Sequence, residues 1–228
     1  MYIMQGYKSM KKALTIGELL ITMAIIGVIA MLVLPGFLKD YHKKIYTAKL
    51  KKTIELVENA VNQASIDNNV SYFYQTPYPA SDDKIKEFLD KYFKTVASGD
   101  NIFYSGYYSS IKDSSSTTSG SSNKGSKLSP KNAVKLAGGE ALSFECTVNT
   151  GVAIAAMNSN LCTIRIDVNA TDGPNKGGRD LFVLYLDTKN NSINSRSPLS
   201  AKIETCQTSA LGDECYEELL KNNWIMDY

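Results

Sequence analysis

The chain has 228 residues, a length that suits one soluble domain with an additional element. Its formal net charge of +2 excludes a strong general attraction to nucleic acid. The basic residues are unevenly placed, because residues 1–13 contain three lysines and no acid. Removing those three from the 25 basic residues leaves 22, against 23 acidic residues.

Residues 19–38 (LLITMAIIGVIAMLVLPGFL) are 20 consecutive residues without a charge. A helix of this length crosses the hydrocarbon core of a bilayer. A cleaved secretory signal has a shorter apolar core that ends in a small-residue site, whereas the polar sequence KDYHKK follows here. The pattern therefore predicts a membrane-spanning helix.

Glu18 is an acidic residue at the start of this apolar segment. A carboxylate in a membrane helix costs on the order of 2–4 kcal/mol, so such a residue is retained for a partner or a function. The alternative is that Glu18 lies at the level of the lipid headgroups and is simply hydrated.

The stretch KKALTIGELLITMAIIGVIAMLVLP (residues 11–35) resembles the amino-terminal signature of type IV pilins and of the pseudopilins of type II secretion. In that family a prepilin peptidase cuts on the cytoplasmic side, and a glutamate is the fifth mature residue. The resemblance places the cut between Ala13 and Leu14, with Thr15 at the second mature position. Ala13 and Leu14 replace the family's usual glycine and phenylalanine.

The resemblance implies that residues 1–13 are a cleaved leader and that Leu14 is N-methylated. It also implies that Glu18, with Thr15 beside it, meets the α-amine of a neighbouring subunit in a helical filament. The implied partners are the prepilin peptidase, the inner-membrane assembly platform, the membrane and other copies of the chain. The implied location is the bacterial inner membrane, with a single span, and then a periplasmic or cell-surface filament.

Gly27 and Pro35 interrupt the good helix formers of the apolar segment. One interpretation is a harmless kink. The other, suggested by the resemblance, is that this part of the helix loosens when the subunit leaves the membrane for the filament, which makes both residues assembly residues. Pro35 also falls at mature position 22, where the family often has a proline.

Residues 39–68 continue the helix with a different pattern. Apolar residues recur at spacings of three and four, which predicts one buried stripe on an amphipathic helix; they are Tyr46, Leu50, Ile54, Val57, Val61 and Ala64. We therefore expect one helix over residues 14–68, apolar all round in its first half (14–38). Lysines crowd the start of the second half, which indicates a solvated or membrane-proximal face rather than nucleic-acid binding.

Residues 69–228 predict a globular α+β head. A second helix begins at Ser81 and ends near Gly99; its stripe is Ile85, Phe88, Leu89, Tyr92, Phe93 and Val96. The serine-rich residues 109–129 predict a flexible surface loop. Strands are expected at 141–147, 151–157, 162–168 and 180–187, and the short connections favour an antiparallel meander. The resemblance likewise implies a type IV pilin-like fold, with a long helix packed on a small antiparallel sheet.

Four cysteines, all in the carboxy-terminal half and none in a CxxC pair, indicate disulfides in an oxidising compartment. Of the three possible pairings we favour Cys146–Cys162 and Cys206–Cys215, because each closes a short loop. Free buried thiols are the alternative.

The polar connection of residues 167–180 offers oxygen ligands of the type that calcium prefers: Asp167, Asn169, Asp172 and Asp180. Its spacing does not match an EF-hand, and Asx-turn chemistry explains the same residues without a metal. We therefore expect no resident cofactor and keep calcium as the less favoured possibility.

We expect a structural role rather than an enzyme, because the sequence shows no nucleophile elbow, phosphate loop or metal-protease motif. The leading hypothesis is a filament subunit, either a major or minor pilin or a secretion pseudopilin. A second class is an uncleaved, single-span membrane protein whose head binds a ligand. A third is a DNA-uptake or adhesion subunit of the same architecture, although the mature chain carries no basic excess.

Overall fold

The computed structural model describes residues 15–99, 101–103, 130–146, 160–195, 206, 212 and 214–227. The chain divides into two compact units, Met1–His42 and Lys43–Tyr228. Four of the expected features lie outside the described residues: the leader, Leu14, the serine-rich loop and the strand at 151–157.

Helix α1 spans Ile16–Asp67, 52 residues that include Pro35, close to the 14–68 expected. Within the second unit it buries one stripe, as the spacing predicts. The buried residues of α1 are Thr47, Leu50, Thr53, Ile54, Val57, Ala60, Val61, Ala64 and Ser65. The threonine and serine hydroxyls of this stripe donate to carbonyls four residues earlier, which satisfies them within the helix.

An aromatic connection joins α1 to helix α2 (Asp82–Tyr92) through two short 3₁₀ turns, Phe73–Gln75 and Tyr78–Ala80. Phe73 and Tyr78 are buried, and their rings lie 5.1 and 5.5 Å from the ring of Phe88 on α2. Ser81 caps α2 by accepting a hydrogen bond from the backbone of Lys84. The prolines prevent this connection from forming an α-helix, and aromatic packing fixes its conformation instead.

Helix α2 ends at Tyr92, so the prediction that it continues to Gly99 is wrong. The N–H of Phe93 closes the last turn on Leu89, and strand β1 (Thr95–Ser98) follows. Val96 is 65% exposed instead of lying on a helical core stripe. The helical spacing of Val96 was coincidental, because pairing with the sheet outweighs the intrinsic helix propensity of these four residues.

The described residues contain six strands in one antiparallel sheet, ordered β1 to β6 along the chain. After β1 come β2 (Ala133–Leu136), β3 (Ala141–Cys146), β4 (Leu161–Asp167), β5 (Leu181–Asp187) and β6 (Ser192–Asn194). The expected antiparallel meander is confirmed for these strands. Strands β3, β4 and β5 match their predicted segments within a residue at each end, whereas β1, β2 and β6 were not predicted.

One face of the sheet packs against α1 and α2. The residues of this face alternate along each strand and pair across strands, for example Phe144 with Ile164 and Ile164 with Leu184. The opposite face carries a smaller cluster that includes Ala141 and Leu181. The head is therefore an α+β layer structure with its main core between helices and sheet.

Both disulfides agree with the favoured pairing. Cys146–Cys162 joins directly opposed residues of β3 and β4, and Cys206–Cys215 ties residue 206 to the start of helix α3 (Cys215–Lys221). Gly178 lies against the second disulfide, where a Cβ would be 2.3 Å from Cys215 Sγ. A glycine is required there, because its φ of +76° is also unfavourable for other residues.

Candidate functional site

The amino-terminal end of α1 is closed by a reciprocal pair of hydrogen bonds between Thr15 and Glu18. The backbone N–H of Thr15 donates to Glu18 Oε2 at 2.9 Å, and the N–H of Glu18 donates to Thr15 Oγ1 at 3.2 Å. The Thr15 hydroxyl also donates to Glu18 Oε2 at 3.0 Å. This arrangement is a capping box, which satisfies two N–H groups that a helix start would otherwise leave open.

The capping box uses only half of the Glu18 carboxylate. Oε2 accepts both bonds from Thr15, while Oε1 accepts no hydrogen bond from any described residue. The residue is exposed, and it lies in the first turn, where the helix dipole favours a negative charge. Glu18 can therefore cap its own helix and still present an oxygen to a cationic partner.

The apolar residues that follow Glu18 are exposed within the single chain. Ile16 is 82% exposed, Ile26 64% and Leu32 77%. Among the described residues α1 is the one helix long and apolar enough to cross a membrane, and none of its most apolar window is buried. A surface of this kind exceeds the apolar patches that soluble monomers carry, so it needs an external partner or an apolar solvent.

Gly27 and Pro35 lie inside this exposed part of α1, and the helix continues through both. A Cβ at Gly27 would meet no atom of the described residues within 4 Å, so none of their contacts requires a glycine there. The loosening expected around these residues concerns an assembled state and stays a prediction.

The calcium candidates lie in the loop between β4 and β5, where Asp180 organises the backbone. Its carboxylate, wholly buried, accepts hydrogen bonds from the N–H groups of Asn175, Lys176 and Leu181. Burial raises the pKa of Asp180 to about 6, although the N–H donors act in the opposite direction. This carboxylate therefore holds the loop in shape.

The other three candidates also serve the loop. Asp167 is buried and accepts the N–H of Asn169 at 3.1 Å, while the Asn169 amide donates to the carbonyls of Asp172 and Gly173 at 2.8 Å. Within the described ranges, no three acidic, histidine or cysteine residues gather as metal ligands would. Bonding of the Asx-turn type accounts for Asp167 and for the Asn169 amide NH2 without a metal, and calcium stays the less favoured prediction.

A surface pocket of about 380 Å³ lies between α2 and the strands β1 and β2. Its lining includes Lys86, Asp90 and Ser98 beside the apolar Leu89 and Val134. The single histidine, His42, is on α1 and does not line this pocket.

The capping box was present in the sequence and was not predicted. Thr15 precedes Glu18 by three residues at the start of an apolar run, which is the sequence signature of such a box. Thr15 was expected only from its position relative to the cut. The cut site itself, Ala13–Leu14, lies outside the described residues.

No protein-family model, curated protein or solved structure matches this chain.

Proposed function

We propose that the chain is a structural subunit of a type IV pilus-like filament. It is made as a membrane-inserted precursor, cut between Ala13 and Leu14 by a prepilin peptidase, and assembled through its first helix. The observation that carries the proposal is Glu18, a carboxylate in the first turn of an exposed apolar helix. Thr15 donates to its Oε2, and no described residue donates a hydrogen bond to its Oε1.

Cleavage supplies the partner for this carboxylate. It frees an α-amine on Leu14, and such an amine is mostly cationic at neutral pH because its usual pKa is about 8. N-methylation keeps the charge. In a filament the amine of one subunit meets Glu18 of the next, and the apolar surroundings make any other register leave both charges unpaired. The exposed apolar residues of α1 then become the filament core.

The subunit follows a path from the membrane to the filament with the help of other proteins. The subunit waits in the bacterial inner membrane, with its head on the periplasmic side, until an assembly platform extracts it into a periplasmic or surface filament. The two disulfides support a head that folds in an oxidising compartment. Major pilin, minor pilin and secretion pseudopilin are the three forms that this function can take.

Two variants separate the charge of Glu18 from its capping role. Glu18→Gln retains an acceptor for the Thr15 N–H but removes the negative charge. Thr15→Val removes the hydroxyl from the capping box but leaves the charge. We expect Glu18→Gln to abolish sheared filaments and Thr15→Val to retain them, as measured by quantitative mass spectrometry of the sheared surface fraction of the native host.

Resistance of both variants to alkaline carbonate extraction is the control, because membrane insertion requires only the apolar segment. Filaments formed normally by an inserted Glu18→Gln variant would contradict the proposal. So would a loss of filaments confined to Thr15→Val, since this would assign Glu18 a capping role alone.

The capping box also favours a second candidate, an uncleaved single-span protein whose head binds a ligand. Thr15 and Glu18 satisfy each other within one chain, so Glu18 has a role that needs no neighbouring subunit. Sequencing the mature amino terminus distinguishes the two. A chain that begins at Leu14 supports the filament, and one that keeps Met1 supports the anchored binding protein.

A further inference from the structure

The loop between β4 and β5 is fastened to α1 near the start of the second unit. Lys49 Nζ donates to the Val168 carbonyl at 3.2 Å, and Asn169 Nδ2 lies 3.4 Å from Tyr46 Oη. The Tyr46 hydroxyl in turn reaches the Gly173 carbonyl at 3.5 Å. These bonds hold the loop beside the first turns of α1 in this unit.

Fastening the loop brings basic side chains from two parts of the chain to one end of the head. Lys43 and Lys44 precede Tyr46 by less than a helical turn, and Lys176 and Arg179 belong to the fastened loop. Arg179 is close enough to lower the pKa of the Tyr46 phenol, although burial and the nearby carboxylates raise it overall. We name these four residues, Lys43, Lys44, Lys176 and Arg179, the basic end.

Carboxylates of the described residues do not neutralise the charges of the basic end. None of its four side chains forms an ion pair with a carboxylate among the described residues. Asp167 and Asp180 lie in the same region but are wholly buried and engaged with backbone N–H groups. The exposed acid of the loop is Asp172, which is fewer than its two cations, Lys176 and Arg179.

Chain length places Lys43 and Lys44 of the basic end near the membrane when the apolar segment is inserted. Lys43 follows Leu38, the last residue of that segment, by five residues, which is about 8 Å of helix. The headgroup layer of a leaflet has about this depth. Lysine and arginine side chains can extend further along the helix to reach phosphates.

We propose that the basic end binds the headgroups of anionic phospholipids in the leaflet from which α1 emerges. Charge complementarity selects anionic over zwitterionic lipid, since basic residues beside a membrane span attract negatively charged headgroups. The contact would hold the head against the membrane surface until the subunit is withdrawn. The inference depends on the membrane-inserted state of the proposed function but not on filament assembly.

The test uses the full chain reconstituted in phosphatidylcholine bilayers with trace spin-labelled lipid. The measured quantity is the association of spin-labelled phosphatidylglycerol with the protein relative to spin-labelled phosphatidylcholine. A single basic residue at the surface enriches anionic lipid about five-fold, so we expect a preference of at least that size, decreasing at high salt.

Two double variants with the same change in charge locate the effect. Lys43→Gln/Lys44→Gln should reduce the preference several-fold. Lys86→Gln/Lys189→Gln should leave it unchanged, because Lys86 is on α2 and Lys189 is in the β5–β6 turn, whose Asn191 contacts Asn62 far along α1. Near-ultraviolet circular dichroism verifies that both variants fold.

Equal association of the two lipids with the wild-type chain would overturn the proposal, as would equal losses in the two double variants. If the chain does not float with vesicles after carbonate treatment, both this inference and the membrane-inserted precursor are wrong. A chain that floats with vesicles but shows no lipid preference overturns the basic end alone.

Discussion

The two halves of α1 have the same backbone conformation and opposite surroundings. Leu32 in the first half is 77% exposed, whereas Leu50 in the second half is completely buried. In the second half the sheet and α2 cover the apolar stripe, so the chain supplies its own core. In the first half the described residues supply no cover. The helical conformation alone therefore does not indicate whether water, lipid or protein surrounds a segment. The distribution of apolar residues around the helix does indicate it.

This difference assigns the two halves to different tasks. Isolated helices are marginal in water, and packing of an apolar face provides most of their stability. The second half obtains that packing within the folded head. The first half obtains no such packing from the described residues, and under the proposed function lipid or other copies of the chain supply it. We therefore expect substitutions there to leave the stability of the head unchanged.

One leucine substitution in each half of α1 gives the strongest test of this division. Leu50→Ala should lower the free energy of unfolding of the head by about 2–5 kcal/mol, because it leaves a cavity in the core. Leu32→Ala should leave it unchanged. Urea unfolding of the full chain in detergent, followed by the fluorescence of the single tryptophan, Trp224, measures both. Equal effects would show that the two halves are not energetically separate.

Two glycine substitutions, one in the head and one in the first half of α1, test the same division. Gly178→Ala places a Cβ against Cys215 Sγ at a positive φ, so it should destabilise the head by about 2–4 kcal/mol. Gly27→Ala meets open space and should leave urea unfolding of the head unchanged. The same fluorescence measurement checks both. If Gly178→Ala left the free energy of unfolding unchanged, the loop would be able to shift away from the disulfide without losing stability.

Local patterns in the sequence predicted the long helix and the three central strands. Leu50, Ile54 and Val57 repeat at helical spacing, and β3, β4 and β5 are short segments rich in apolar and β-branched residues. The disulfide pairing also followed from the short loops. These features are local, so the sequence contains the information that specifies them.

The remaining features depend on contacts between distant residues. Strand β1 has four residues and forms only because β2 lies beside it, so Val96 could not be distinguished from a helix position. Asp180 resembled a calcium ligand because the sequence does not show that three backbone N–H groups surround it. The requirement for a glycine at residue 178 likewise comes from a disulfide elsewhere in the chain.

Asp180 gives the stability of the head a pH dependence. Its pKa is about 6 in the folded head and near 3.8 when unfolded, so the folded state retains its proton longer. Its contribution to stability is therefore complete below pH 3.8 and is lost as pH rises through 6. Asp180→Asn should destabilise the head by about 1–3 kcal/mol at pH 4, because a donor NH2 group replaces one of the two oxygens that accept from backbone N–H groups.

The difference in unfolding free energy between wild type and Asp180→Asn should therefore shrink as pH rises from 4 to 7. Urea unfolding at several pH values measures this difference, in which the other titrating groups cancel. A difference that grows with pH would mean that the N–H donors outweigh burial and that the pKa of Asp180 is lowered.

The N-cap residues of α2 and α1 give a weaker test, since each cap contributes little to the free energy of unfolding. Ser81 caps α2 within the head, and Ser81→Ala should lower the free energy of unfolding by about 1 kcal/mol. Thr15→Ala removes an equivalent hydroxyl from the start of α1, yet it should leave the unfolding of the head unchanged, because the capped turn belongs to the other unit. Its effect should instead appear as faster amide hydrogen exchange at residues 16–18. A Thr15→Ala variant that weakened the head as much as Ser81→Ala would mean that the two units fold cooperatively, and the assembly defect expected of Glu18→Gln would then need a stability control.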